Sequence, residues 1–190
     1  MRIILTTSRR PTQRVRSFVK DLYSVIPQAI RINRGKATLN DLASYALEIN
    51  AEKILVVITR KGNPGSILIY GVDLEGKPIA LCRIVISGIK LSREYGGSPC
   101  PKTSSIFIDI SSIKSELGEQ LAEVLIKNLG YVPITSINEA TPNSITAIIN
   151  EKSSNNVVMK YMRLSPRIIC GPVIRISKAV SYTHLTLPTN

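Results

Sequence analysis

Histidine and aromatic residues are scarce in this sequence. His184 is the only histidine, tryptophan is absent, and the chain has two phenylalanines and seven tyrosines. Acid–base catalysis needs a histidine or closely placed carboxylates, and the nearest such set, Glu116, Glu119 and Glu123, has the spacing of a solvated helix face. An enzyme is therefore disfavoured, above all a nuclease with clustered acidic metal ligands. We predict no catalytic residue.

Cysteine is scarce as well. Cys82, Cys100 and Cys170 are odd in number, lie far apart and form no CxxC pair. Neither a disulfide framework nor a zinc knuckle is indicated, and we expect three buried, inert thiols. The glycine spacings of phosphate-binding loops are also missing, so residues 62–65 and 96–98 are expected to form turns. No metal, cofactor or small-molecule substrate is predicted.

Long apolar runs and a signal peptide are lacking too. No stretch of the sequence reaches the roughly 18 consecutive apolar residues that a membrane-spanning helix requires. We therefore expect a cytoplasmic protein without a membrane partner.

Positive charge dominates what is present. Lys and Arg number 25 against 13 Asp and Glu, a net charge of +12, and residues 1–36 hold nine cations but a single acid. Such a concentration indicates a polyanionic partner, because arginine forks match phosphate geometry and neutralised phosphates release counterions. The alternative is a solvated basic face without a partner. The candidate RNA-binding residues are Arg9, Arg10, Arg14, Arg16, Arg31, Arg34 and Lys36.

Two short segments within this region are candidates to hold a phosphate. Residues 6–11 lie at a predicted strand-to-helix turn, where hydroxyls, guanidinium groups and free helix N–H groups can converge. Ser8 and Thr12 suit the role of helix caps equally well. In residues 33–36, Gly35 permits a positive φ that brings the backbone close to a ligand between two cations.

The hydrophobic pattern predicts β-α-α-β-β-β over the first half. Residues 3–7 form a strand, and Pro27 ends the helix that follows. A second helix starts after Thr38, whose hydroxyl caps it while Asp41 reaches back. Strands then follow at 54–58, 67–70 and 79–86, separated by turns at 63–65 and 75–76. The first helix buries an apolar stripe of Val15, Phe18, Val19, Leu22 and Ile26.

A Gly- and Pro-rich linker at about 93–103 separates a first half (about 1–92) from a second (about 104–179). The second half is predicted to hold a strand at 106–110, a helix from 117 to 129 that stops at Gly130, and strands at 132–137, 145–149, 157–162 and 168–176. Both halves open with a strand that leads into a helix, so an internal duplication is a hypothesis. The final stretch, 180–190, looks like translated vector or adapter sequence, and the fold prediction excludes it.

Several motifs together resemble the Brix domain family. They are TTSRRPTQRVRSFVKDL at 6–22, IP at 26–27, INRG at 32–35, DL at 41–42, GNPG at 62–65 and CGPVIRI at 170–176. The likeness spans roughly residues 3–178, and within the family it is greatest to compact archaeal members and to the Brix subunit of the eukaryotic small-subunit processome. The family often has a basic or aromatic pair after the last Gly-Pro. Because this chain has Val173 and Ile174 there, no RNA contact is predicted for that strand.

The resemblance implies an α/β fold of two similar tandem halves, each a mixed sheet packed with helices, like the anticodon-binding fold of class II aminoacyl-tRNA synthetases. It also implies a non-enzymatic ribosome biogenesis factor that binds rRNA or pre-rRNA, assists its processing and works beside other assembly proteins. Two alternatives stay open: a scaffold that binds an acidic assembly partner, and an enzyme that acts on RNA.

Overall fold

The computed structural model describes residues 1–182, and the first half of the chain holds two helices and five strands. The order begins with the predicted strand and helix and then returns to the sheet before the second helix. The elements are β1 (Ile3–Thr7), α1 (Gln13–Val25), β2 (Ala29–Arg31), α2 (Leu39–Glu48), β3 (Lys53–Arg60), β4 (Asn63–Val72) and β5 (Pro78–Lys90).

The second half repeats this order with one helix and five strands. Short 3-10 turns at 92–95 and 137–139 stand before β6 and β8. The elements are β6 (Ile106–Asp109), α3 (Glu116–Leu129), β7 (Val132–Ile134), β8 (Ile145–Ser153), β9 (Asn156–Leu164) and β10 (Arg167–Ser181).

All ten strands of residues 1–182 belong to one continuous mixed sheet, where the sequence predicted a sheet for each half. The strand order is β2-β1-β3-β4-β5-β10-β9-β8-β6-β7, so each half supplies five adjacent strands. The outer three strands on each side are parallel and the inner strands are antiparallel. The halves join where β5 pairs with β10.

One face of the sheet packs against α1 and α3. The stripe predicted for α1 is buried there, and Phe18 shares a core with Leu121 of α3 and Ile174 of β10. Burying a side chain of this size contributes about 1.5–3 kcal/mol, and Phe18→Ala would cost about 3–5 kcal/mol through the cavity left behind. On the opposite face, α2 covers Ile4 and Ile54 in a smaller core.

The helix ends follow the sequence prediction closely. The Thr38 hydroxyl accepts from the Asp41 amide at 3.1 Å, and the Asp41 carboxylate accepts from the Thr38 amide at 2.7 Å, which forms the predicted capping box of α2. Because its carboxylate accepts the hydrogen bond from the Thr38 amide, the pKa of Asp41 lies below its usual value. Gly130 adopts a left-handed conformation, with φ of 69°, and ends α3 as predicted.

Several predicted boundaries were wrong. The sequence pattern missed β2, a strand of only three residues, and placed a turn at 63–65, where β4 has already begun. The turn is Lys61-Gly62, both with positive φ, as a two-residue hairpin between paired Arg60 and Asn63 requires. β7 ends at Ile134 rather than 137. β10 runs from Arg167 to Ser181 rather than from 168 to 176, and residues 183–190 of the proposed tail, with His184, lie outside the described residues.

The expectation of three free thiols was also wrong. Cys100 and Cys170 form a disulfide, with a Cα–Cα distance of 5.0 Å across a sequence separation of 70 residues. The bond ties the segment between the halves to β10, beside a hydrogen bond of 3.2 Å from the Gly171 amide to the Ser98 carbonyl. Cys82 is free and buried, and burial raises the pKa of its thiol to about 11. Its burial agrees with the prediction for this cysteine.

Candidate nucleic-acid interface

A groove of about 580 Å³ lies between α1 and the segment that follows β2. We call it the N-terminal groove. None of its lining residues is acidic and none is aromatic. Its charged lining consists of Arg9, Arg16, Lys20, Arg31 and Arg34.

Parallel pairing of β1 with β2 brings these cations together. Leu5 is in register with Arg31, so the chain that leaves β2 runs beside the chain that leaves β1 toward α1. The Thr6 hydroxyl donates to the Ile32 carbonyl at 2.8 Å and fixes this second wall. Because the sequence pattern did not predict β2, it also did not indicate that Arg31 and Arg9 lie in the same groove.

Arg34 is the most enclosed cation of the groove. Its Nε donates to the Ala37 carbonyl at 3.1 Å, across a turn in which Gly35 has the predicted positive φ, of 55°. Partial burial, followed by the nearby charge of Arg9, lowers the pKa of Arg34 from its usual value. The side chain stays a cation at neutral pH, and a bound anion would relieve the repulsion between the two guanidinium groups.

The predicted site residues fall into three groups. Arg9, Arg16, Arg31 and Arg34 line the N-terminal groove together. The side chains of Arg10 and Lys36 are exposed near its ends but are not part of its lining. Lys20 was omitted from the predicted set, although its position one helical turn after Arg16 would have been enough to include it.

Arg14 is the third case, because it does not line the N-terminal groove and its side chain is already paired. Its guanidinium group forms a two-pronged ion pair with Glu94 and donates to the Ile89 carbonyl at 3.3 Å. The hydrogen bond that Arg14 donates to Glu94 raises the pKa of Arg14 and lowers the pKa of the Glu94 carboxyl group. Arg14 therefore faces away from the N-terminal groove and fastens α1 to the chain after β5.

Most of the hydroxyl groups near the predicted phosphate site form hydrogen bonds within the protein, whereas Thr7 lines the N-terminal groove. Thr12 caps α1, because its hydroxyl accepts from the Val15 amide at 3.3 Å and donates to the Gly62 carbonyl at 2.7 Å. The Ser8 hydroxyl lies 3.0 Å from that of Thr59 in β3. Thr12 is therefore a helix cap rather than a phosphate ligand. The charged groups that the N-terminal groove presents are cations.

Known proteins of similar sequence cover nearly the whole chain. A probable Brix domain-containing ribosomal biogenesis protein from Pyrococcus abyssi is 36% identical over 186 residues, which cover 92% of this chain and 82% of the relative. A relative of the same description from Aeropyrum pernix is 46% identical over 90 residues, and this match spans half of that relative's length. The chain belongs to the Brix domain family.

A solved structure supports the same assignment for the whole Brix fold. The crystal structure of a probable ribosomal biogenesis protein from Aeropyrum pernix K1 matches with a TM-score of 0.81 at 29% identity, covering 93% of this chain and 96% of that one. No family model matches the sequence.

The GNPG and CGPVIRI motifs have structural roles in this Brix domain. Gly171 has a φ of 66°, and a Cβ atom there would lie 2.5 Å from Val25 Cγ2. At Gly65, a Cβ atom would lie 2.4 Å from the Arg60 Cβ. Both glycines permit close packing, and neither lines the N-terminal groove.

Three further observations concern metal binding, membrane crossing and the acidic residues of α3. Within residues 1–182, no group of three His, Cys, Asp or Glu side chains is placed to hold a metal ion. No helix of that part is long and apolar enough to cross a membrane. Glu116, Glu119 and Glu123 are exposed on α3, as the sequence predicted.

Proposed function

We propose that this Brix-domain protein is a non-enzymatic, cytoplasmic factor that binds rRNA or pre-rRNA through the N-terminal groove and assists ribosomal subunit assembly. The observation that carries the proposal is one groove lined by five cations and no acid. A phosphate backbone is the polyanion that such a groove fits, because each neutralised phosphate releases counterions. Its relatives are described as ribosomal biogenesis proteins, which supports RNA as the molecule that supplies this phosphate backbone.

We expect the N-terminal groove to contact the phosphate backbone of RNA rather than its bases. Proteins that read unpaired bases stack them on aromatic side chains, and no aromatic side chain lines the N-terminal groove. Arginine forks can instead bind phosphate oxygens with two parallel hydrogen bonds. We therefore expect affinity for folded RNA with little dependence on sequence.

A charge-matched pair of variants tests this function. Arg9→Gln, Arg16→Gln and Arg31→Gln together remove three exposed cations of the groove. The control, Lys77→Gln, Lys114→Gln and Lys127→Gln, removes three exposed cations that do not line it. Binding of fluorescein-labelled rRNA fragments is measured by anisotropy over a range of salt. The groove variant should lose about 0.9 from the salt slope for each duplex phosphate contact removed.

The outcomes are distinct. A large loss for the groove variant and a small loss for the control support the proposal. Equal losses would mean that net charge alone drives binding. RNA binding that neither triple variant weakens would overturn the N-terminal groove as the site, and preferential binding of acidic polypeptides would favour a protein partner. Cleavage of the fragments by purified protein with added divalent metal would overturn the non-enzymatic role.

We also propose that the two halves, about 1–92 and 104–179 with a linker at 93–103, are repeats of one α/β unit like the anticodon-binding fold of class II aminoacyl-tRNA synthetases. The strand order of the sheet supports this, because the order outward from its middle is β5-β4-β3-β1-β2 in one half and β10-β9-β8-β6-β7 in the other. A Cα superposition should place β1, β3, β4 and β5 on β6, β8, β9 and β10 in the same directions. A superposition that required a different strand order would contradict it.

A further inference from the structure

A second cation-lined groove lies at the junction of the two halves, between β5, β9 and β10. We call it the central groove, and its volume is about 490 Å³. Its floor is apolar and includes Val158, Ile169 and Val173. Its charged residues are Lys90, Lys152, Lys160 and Arg175, and no acid lines it.

The central groove lies on the sheet face opposite α1 and α3. Along β10, Ile174 and Ile176 point into the core that these helices cover, so Arg175 between them points the other way. Arg175 is in register with Gly88 of β5 and Val158 of β9. A bulge at Ser87 shifts the register of β5 so that Gly88, which has no side chain, lies beside Arg175 and leaves room.

The four cations of the central groove have no acidic partners in the described part of the chain. Ion pairs there involve Arg14, Lys77, Lys127 and the N-terminal amine only. Lys90, Lys152 and Arg175 are exposed and Lys160 is half-buried. Four unpaired like charges around one groove repel one another, and a polyanion in the groove removes that cost.

A third groove connects this region with the start of α1. This hairpin groove, about 450 Å³, includes the cations Arg60 and Lys61 and shares Gly88 and Ile89 with the central groove. The hairpin tip contacts α1 through the Thr12–Gly62 hydrogen bond of 2.7 Å. Thr12 lies between Pro11 and Gln13, which line the N-terminal groove. The three grooves therefore follow one another around the start of α1.

We propose that a single RNA strand bound in the N-terminal groove continues past the β3–β4 turn into the central groove, so that both halves hold it. The proposal rests on RNA binding by the N-terminal groove and adds a second site to it. Cations spread over adjoining grooves match the repeated charge of a phosphate backbone better than the few carboxylates of an acidic protein segment. Arg175 contacts RNA in this arrangement, although its strand was predicted to have no such contact.

RNA length provides the decisive variable. The central-groove variant combines Lys90→Gln, Lys160→Gln and Arg175→Gln, and the control is again the triple variant of Lys77, Lys114 and Lys127. Labelled single-stranded RNAs of increasing length are titrated at a fixed salt concentration of about 0.1 M. The shortest RNAs that bind should bind wild type and central-groove variant equally. Longer RNAs should bind the variant on the order of tenfold or more weakly, with a salt slope lower by about 2.

A footprint of the wild-type protein gives an independent readout. Lysine acetylation followed by mass spectrometry should show protection of Lys90, Lys152 and Lys160 by long RNA but not by short RNA, with Lys77 and Lys127 unprotected in both cases. Poly-glutamate serves as the competing polyanion. Protection of the same lysines by poly-glutamate at equal charge concentration would overturn RNA in favour of an acidic protein.

The two triple variants distinguish failure of the second site from failure of RNA binding by the N-terminal groove. If the N-terminal triple variant loses affinity and the central-groove variant behaves as the control does at every length, the second site is wrong and the first stands. If the central-groove variant alone loses affinity, the N-terminal groove is wrong. Circular dichroism confirms that each variant is folded before binding is measured.

Discussion

Arg14 and Glu94 are joined by a two-pronged ion pair that fastens the first helix to the 3-10 turn after β5. Glu94 also accepts from the Leu91 amide at 3.0 Å, so one carboxylate holds both the helix and the turn. An arginine that sequence reasoning assigned to RNA is thereby a structural residue, two positions from one, Arg16, that lines the N-terminal groove.

Arg14 and Arg16 should therefore differ in RNA binding. Arg16→Gln removes a free cation of the groove, and RNA affinity should fall about fivefold at moderate salt for one lost phosphate contact. Arg14→Gln makes the same change in net charge but removes a cation already neutralised by Glu94, so a change of less than about twofold is expected. Anisotropy titrations with one rRNA fragment measure both. Equal weakening would show that Arg14 reaches the RNA.

The same ion pair should make the stability of the protein depend on pH in the acidic range. The hydrogen bond from Arg14 holds the pKa of Glu94 below its ordinary value of 4.5. Because the folded-state pKa is the lower one, this carboxylate stabilises the fold above the unfolded-state pKa, and that contribution is lost as the pH falls through the folded-state pKa. Glu94→Gln should cost roughly 0.5 kcal/mol at neutral pH and less near pH ~3.

Urea unfolding at the two pH values measures this difference. Glu48→Gln is the matched control, since Glu48 is exposed and forms no ion pair in the described part of the chain. A difference between Glu94→Gln and wild type that stayed constant with pH would contradict the assigned role of the ion pair.

Removing the disulfide should destabilise the protein substantially. The bond between Cys100 and Cys170 closes a long loop across a separation of 70 residues, and loss of such a bond costs about 2–5 kcal/mol. Cys100→Ser should lower the free energy of unfolding by that amount. Dithiothreitol should lower it in wild type but leave the variant unchanged. A response of the variant to the reductant would show that another thiol pairing is involved.

Gly171→Ala should be more damaging than Gly35→Ala. Both glycines have positive φ, of 66° and 55°, so alanine strains the backbone at either position. At Gly171 the new methyl group would also lie 2.5 Å from Val25 and 3.3 Å from the Cys100 sulfur, whereas nothing lies within 4 Å of it at Gly35. We expect a cost of about 1 kcal/mol at Gly35 and about 2–4 kcal/mol at Gly171, measured by thermal and urea unfolding. Equal costs would contradict a packing role for Gly171.

Local signals made much of this fold predictable. The apolar stripe of α1, the Thr38–Asp41 capping box and the stop at Gly130 each depend on residues within a few positions of one another, and all three were found as predicted. Short segments rich in apolar and β-branched residues likewise marked most strands, because strands buried in a central sheet carry a strong hydrophobic signal.

The failures came from long-range pairing. β2 is too short to show a pattern and exists because it pairs with β1, which lies more than twenty residues earlier. Cys100 meets Cys170 because β10 returns to the middle of the sheet. The pairing of Arg14 with Glu94, 80 positions later in the sequence, is also a long-range contact that the local pattern did not indicate. Charge density in the sequence pointed to the segment that forms the N-terminal groove, whereas the direction of each side chain depended on the tertiary fold.

The central position of β10 has a consequence for how this protein is made. β10 is the last of the ten strands in chain order, yet it lies between β5 and β9. During translation, β5 is therefore an unpaired edge until more than seventy further residues have been synthesised. Exposed edges of this kind invite pairing with other chains. A chain that ended before β10 would expose sheet edges on both β5 and β9, so the final strand closes two edges at once.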